Sequence, residues 1–230
     1  MSSRRVLAVV AHADDEILGC GGTLALHSDL QDEVRILILT DSVGSRTSDK
    51  KWETEFDERR LHANAAASVV GAQKIDFLSF PDNKMDSIPL LDIVKEVEAY
   101  IQAFRPTTIY THHAGDLNID HQLTLRATIT ATRPLPESHV ENIFGFEVPS
   151  STEWNWPDFN DAFRPNVFVD ISNSLPRKLD ALRAYRNEIR QFPHPRSIET
   201  CESLARVRGS TSGFYAAEAF TLLRSIRTCP

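Results

Sequence analysis

The sequence predicts an α/β fold, a mostly parallel central sheet with helices on both faces and a C-terminal elaboration. Three observations carry this. The β-branched runs are short and apolar throughout, as strands buried on both faces are. They alternate with longer stretches of helical periodicity, so successive strands need crossovers and pair in parallel. No linker-like stretch divides the 230 residues. One domain is therefore expected over 1–230, with its core at about 4–133 and the elaboration at about 134–230.

Residues 6–11 (VLAVVA) read as the first strand and 19–29 as the first helix. Residues 34–40 are a second strand. Residues 51–70 form a long Ala- and Glu-rich helical pattern, stopped by Gly71 as a C-terminal cap. Residues 75–80 are a third strand, ended by Pro81. Leu90, Val94, Val97, Ile101 and Phe104 recur at helical spacing and mark one face of an amphipathic helix. Residues 107–111 are the next strand. The arrangement is Rossmann-like and three-layered. In such sheets ligands bind at the carboxyl ends of the strands, so the connection at 11–22 and the one after Tyr110 should wall a site. Beyond 133 the pattern changes. Pro134 and Pro136 punctuate a turn, and 143–148 and 167–171 read as strands. Residues 150–163, with Trp154 and Trp156, read as an irregular loop or lid. Leu175, Leu179, Leu182, Tyr185 and Ile189 mark a helix face, and 198–207 is the last helix.

Composition excludes several classes. Hydrophobic residues are 41% and charged residues 25%, which excludes disorder and fibrous architectures. With 25 Lys plus Arg against 32 Asp plus Glu, the formal charge is −7. Nothing is gained from counterion release, so nucleic acid is not an expected partner. No apolar run approaches the roughly 20 residues of a membrane span, and the start shows no signal-peptide pattern. The three cysteines make neither a disulfide framework nor a CxxC metal site, which points to a cytoplasmic setting.

Chemistry concentrates in two segments. In the first, Ala11-His12-Ala13-Asp14-Asp15-Glu16, a buried strand runs into one imidazole and three carboxylates. Such groups need partners, water or a metal. His12 and Asp15 can point at one ion, with Asp14 beside it; a helix cap and a solvated acidic loop would read the same way. The second segment, 111–121, follows another parallel strand and holds three histidines and two aspartates, with His121 in the first turn of the next helix. Two histidines and a carboxylate suit Zn²⁺ with one position open, the catalytic pattern. Fe²⁺ or another divalent ion fits the same ligands.

AHADDE resembles the AHPDDE motif of the PIG-L/LmbE-type zinc-dependent N-deacetylases, and DLNIDH resembles that family's second metal motif. The helix at 58–71, FLSFPDNKMD and the late VFVDIS…KLDALRAYRNEIRQFPHPRS…AEAF segment extend the likeness over most of the chain. The resemblance implies zinc held by His12, Asp15 and His121, with Asp14 as general base. It implies hydrolysis of the N-acetyl group of an amino sugar or of its nucleotide, lipid or glycoside conjugate. Several members carry a histidine three residues before the last ligand; here that place is Asn118, which can donate a hydrogen bond but carries no proton. His194, held between Pro193 and Pro195, is the candidate replacement; a rigid surface turn is the competing reading. Ala13 and His62 stand where the family has proline and, often, glutamate.

Arg59 matches the motif's arginine and either binds substrate hydroxyls or phosphate or pairs with Glu55. Asp82, Asn118, Trp154 and Arg196 are further candidates for substrate contact, Trp154 through stacking on a sugar ring. Asp116 and Asp120 orient ligands or cap the helix, His112 and His113 lie behind them, and His27 and His139 read as surface. The alternative is a sugar- or nucleotide-binding Rossmann-like protein without hydrolytic activity, suggested by the turn Gly19-Cys20-Gly21-Gly22. Against it stand the missing GxGxxG and the acids at the strand's end. The oligomeric state is left open.

Overall fold

The architecture is that of a computed structural model, which describes residues 3–41, 52–155 and 162–227, with only the backbone at 52–54. Trp156, and parts of the loops at 40–52 and 150–163, lie outside the described residues.

Five strands run parallel: β1 (Arg5–Val10), β2 (Glu33–Thr40), β3 (Lys74–Phe80), β4 (Thr108–His112) and β5 (Asn142–Phe146). The late strands β6 (Val167–Asp170) and β7 (Ala217–Ser225) extend the same sheet, β7 lying antiparallel between β5 and β6. The order is β3-β2-β1-β4-β5-β7-β6. Because strand side chains alternate between faces, β1 divides its residues between two cores. Val6, Ala8 and Val10 face α1 (Asp15–Asp29), α2 (Trp52–Val70) and α5 (Leu175–Ala184), while Leu7 and Val9 face α3 (Leu90–Phe104) and α4 (Ile119–Ala131). The last helix, α6 (Ile198–Ser212), packs on the first side. The expected α/β class with helices on both faces is what the chain adopts. Among the described residues, no helix is long and apolar enough to cross a membrane.

This order places the site. From β1 the chain winds outward through β2 to β3, then returns to lay β4 on the other side of β1. Connections leaving the carboxyl ends of β1 and β4 therefore diverge, and the crevice between them is where such sheets bind ligands.

Helix α1 differs from the expectation of 19–29. It begins at Asp15, so Asp15 and Glu16 occupy its first turn, where a helix dipole favours acids. It is also broken at Cys20, whose φ of −143° and ψ of 18° are not helical. The break leaves backbone groups without helical partners, and buried groups of that kind must find others. The amides of Gly22 and Thr23 donate to the Glu218 carboxylate of β7, at 2.9 and 2.7 Å. Lys178 Nζ of α5 donates to Leu18 O at 2.9 Å and to Glu218 at 2.6 Å. A Cβ on Gly19 would overlap the Phe146 ring, and one on Gly22 would lie 2.8 Å from Ile171, so close packing requires glycine at both. Replacing Lys178 by methionine leaves the buried Glu218 charge without its cation. It should destabilise the protein by about 3 kcal/mol in urea unfolding; a change below about 0.5 kcal/mol would deny the pair this role.

Three other expectations change. Strand β7 was not anticipated, because its buried stretch, Ala217-Glu218-Ala219-Phe220, mixes small residues and a glutamate with a single large apolar side chain. Helix α5 ends at Ala184, so Tyr185 and Ile189 follow it in turns rather than continuing its face. His27, read as surface, is buried: Nδ1 lies 2.8 Å from Asp32 and Nε2 3.0 Å from the Tyr110 hydroxyl, which ties the end of α1 to β4.

Candidate metal centre

His12 follows β1, Asp15 opens α1 and His121 lies in the first turn of α4. The three converge. His12 Nδ1, His121 Nε2 and Asp15 Oδ2 are 3.2, 3.2 and 3.3 Å apart pairwise. Zinc at bond lengths near 2.0 Å holds tetrahedral ligands about 3.3 Å apart, so these donors stand at the spacing one small cation requires. Asp15 Oδ1 is buried and accepts no hydrogen bond from the described residues. A further carboxylate oxygen is thus available to a cation, and the residues fit the ion that the sequence implied.

Surrounding groups fix each ring. His12 Nε2 lies 3.1 Å from Asp120 Oδ2 and 3.2 Å from Asp82 Oδ1, which turns Nδ1 toward the trio. Asp120 is itself held by the amides of Asn83 and Met85, at 2.7 and 3.0 Å. His121 Nδ1 lies 3.0 Å from Asp116 Oδ1, leaving Nε2 for the ion. Asp116 accepts hydrogen bonds from the Ser151 and Thr152 hydroxyls. Burial would raise its carboxyl, but His121 and these hydroxyls hold it at about 2. His112 stacks on His121 with centroids 3.9 Å apart, and its Nε2 accepts the Ala11 amide at 2.9 Å. Burial, with His121 beside it, pushes His112 down to about 3, so it is a neutral plate behind the ligand.

Asp14 adopts φ +119°, in the left-handed region that costs a non-glycine residue about 1–3 kcal/mol. Its amide donates to Glu16 Oε2 at 3.1 Å, and the Tyr185 hydroxyl donates to Glu16 Oε1. Burial pushes the Glu16 carboxyl up to about 8. This buried pair clamps the turn that presents Asp14. Tyr185→Phe leaves Glu16 Oε1 without its donor and should cost about 1–3 kcal/mol in urea unfolding. Unchanged stability would show the clamp to be idle.

The Asp14 carboxylate receives Arg196 Nη1 at 2.8 Å. Burial raises its pKa to about 6 against the pull of Arg196, with Asp15 and Glu188 adding to the rise. Arg196 also donates through Nε to Ser150 Oγ at 2.7 Å. Its Nη1 lies 3.7 Å from Glu188 Oε2, and Glu188 Oε1 lies 2.7 Å from Arg59 Nη2. Arg59 thus pairs with Glu188, and the expected contact with Glu55 is replaced by one 129 residues along the chain. Glu188 was not singled out in the sequence, although it lies within the late KLDALRAYRNEIRQFPHPRS segment.

The other candidates are placed as follows. Asn118 caps α4: its Oδ1 accepts the Asp120 amide at 2.8 Å and its Nδ2 donates to Asn83 at 2.9 Å. Asp82, buried after β3, contacts His12 as described. Trp154 is 43% exposed and stands edge-on to His194, centroids 6.2 Å apart. His194 Nδ1 accepts the Arg196 amide at 3.1 Å. The segments at 150–155 and 192–196 thus meet beside Asp14, with Trp154 exposed and His194 partly exposed.

A mostly parallel sheet whose first and fourth strands end in one His–Asp–His cluster, with a buried carboxylate alongside, defines an α/β protein with a candidate metal centre at its strand ends. The model of the PIG-L family, described as GlcNAc-PI de-N-acetylase, matches residues 7–132, more than half of the chain, and the chain belongs to that family. It is 26% identical to diacetylchitobiose deacetylase of Thermococcus kodakarensis, over 99% of this chain and 86% of that protein. It is 27% identical to 4-oxalmesaconate hydratase of Pseudomonas putida, over 78% and 72%. The crystallised N,N'-diacetylchitobiose deacetylase of Pyrococcus horikoshii superposes with a TM-score of 0.78, covering 97% of this chain and 85% of that one, at 21% identity.

Proposed function

We propose that this chain is a metal-dependent N-deacetylase acting on an N-acetylated amino sugar or its conjugate. The observation that carries the reading is the trio of His12, Asp15 and His121 donors at 3.2–3.3 Å, with the Asp14 carboxylate beside it. Membership of the PIG-L family and the sugar-deacetylase relatives support it. The three ligands would hold Zn²⁺, with Fe²⁺ as the alternative, and the ion when bound polarises the amide carbonyl and acidifies a water.

The remaining work falls to the chain. Asp14 takes a proton from the attacking water and returns it to the leaving nitrogen, so acetate and a free amine result. Arg196 fixes the Asp14 carboxylate, and the Glu16–Tyr185 clamp fixes its backbone. Asn118, committed to the helix cap, is not a proton donor. Trp154 offers an aromatic face to the sugar at the rim, and His194, whose ring stands edge-on to it, is the candidate proton carrier in place of the histidine absent at Asn118. The cytoplasmic setting is part of this proposal, and Cys20 and Cys201 are free thiols.

The test is acetate release by the zinc-loaded protein from N-acetylglucosamine and its glycosides. Because one relative is a hydratase, a measured hydration with no acetate released from any acetylated sugar would overturn the reading.

A further inference from the structure

Two guanidiniums lie beside Asp14, and carboxylates hold both. Arg196 Nη1 is 2.8 Å from Asp14 Oδ2, and Arg59 Nη2 is 2.7 Å from Glu188 Oε1. Glu188 also faces Arg196, at 3.7 Å. Only 4% of its side chain is exposed, against 14% for Arg59 and 18% for Arg196, so it lies behind the two cations and between them. On the far side of His12, Asp82 and Asp120 add negative charge.

An arginine pair in a pocket is ordinarily a device for phosphate or carboxylate, because a guanidinium matches either bidentately. Here that device is filled from within. An incoming anion would have to displace Glu188 from Arg59 and would then meet Glu188 and Asp14 as uncompensated like charges. Like-charge juxtaposition at a binding surface is strongly unfavourable. A hydroxyl meets no such cost: it can accept from an exposed guanidinium N–H and donate to a carboxylate oxygen in one contact.

Resting on the deacetylase reading, we infer that Glu188 is a specificity-determining residue that restricts the site to uncharged amino-sugar glycosides and turns away phosphate and carboxylate conjugates. The chemistry of the reaction is unchanged by this: the amide C–N bond breaks, water supplies the new C–O bond, and the water's proton goes to the amine. Charge enters only through what the sugar carries.

The experiment compares two probes of one sugar, methyl N-acetylglucosaminide and N-acetylglucosamine 1-phosphate, with the zinc-loaded full-length protein. The neutral glycoside is expected to have a kcat/KM at least about tenfold higher, carried mainly by KM. Glu188→Gln keeps the side chain's shape and an oxygen that can accept from Arg59 but removes the charge, and should close most of the gap between the two probes; the readout is the ratio of their kcat/KM values, which a rate change common to both does not move. A wild-type protein that turns over the phosphate ester as efficiently as the neutral glycoside overturns the inference, whether or not the variant folds. So does a folded E188Q protein whose preference is unchanged. Acetate released from neither probe overturns the deacetylase reading, and this inference with it. Acetate released equally from both overturns charge selection alone.

Discussion

Asp14→Asn is expected to lower kcat by about 10²–10⁴-fold, the usual contribution of a positioned general base, and to leave the metal in place. The substitution is well conditioned. Asparagine tolerates positive φ at least as readily as aspartate, so the turn at φ +119° can persist. Its amide oxygen can still accept Arg196 Nη1, which now sits 2.8 Å from Asp14 Oδ2. Its amide, which donates to Glu16, is untouched. What disappears is the capacity to take a proton. Steady-state acetate release paired with metal analysis checks this. A variant that keeps its zinc and loses less than about threefold in kcat would assign the proton to another group.

His121→Ala should abolish activity and metal together. Removing one of three protein ligands leaves His12 and Asp15, too few for tight tetrahedral binding. The effect reaches stability as well, because an ion that binds only the folded chain adds its binding free energy to folding. Wild type should melt at higher temperature with zinc than with chelator, and the variant should show no such difference. Binding should also weaken on acidification. Burial would lower the His121 pKa, but Asp15 and Asp116 outweigh it and raise it to about 9. A proton therefore competes with the ion at Nε2, and affinity falls as pH falls. Full zinc occupancy in His121→Ala would exclude this residue as a ligand.

Legibility in the sequence followed physical range. The first two strands are continuous apolar runs whose both faces meet cores, and α3 has clean periodicity because one face is solvated. Both were readable from a few neighbouring residues. Helix α1 was started four residues late because Asp15 and Glu16 read as part of an acidic loop, and its break at Cys20 shows only once Glu218 is known to complete it. The metal trio was suggested because each half follows its own strand, and parallel topology brings the two strand ends to one edge. The Asp14–Arg196 pair spans 182 residues, and Glu188 carries no local sign of burial. No window of sequence contains such a relation; it emerges only when α5 and the turns after it settle on α1.

The break in α1 explains why a glycine-rich turn after the first strand does not make a nucleotide site. A helix start with free amides is a seat for an anion. In this chain the seat at Gly22 and Thr23 is occupied by the carboxylate of Glu218, with Lys178 as its counter-ion. The protein carries its own surrogate for the phosphate. The glycines are spent on close approach by Phe146 and Ile171 instead of by a cofactor, and β7, the strand that delivers the surrogate, is inserted in the sheet beside β5. What is a docking point for phosphate in a dinucleotide-binding fold is here an internal rivet.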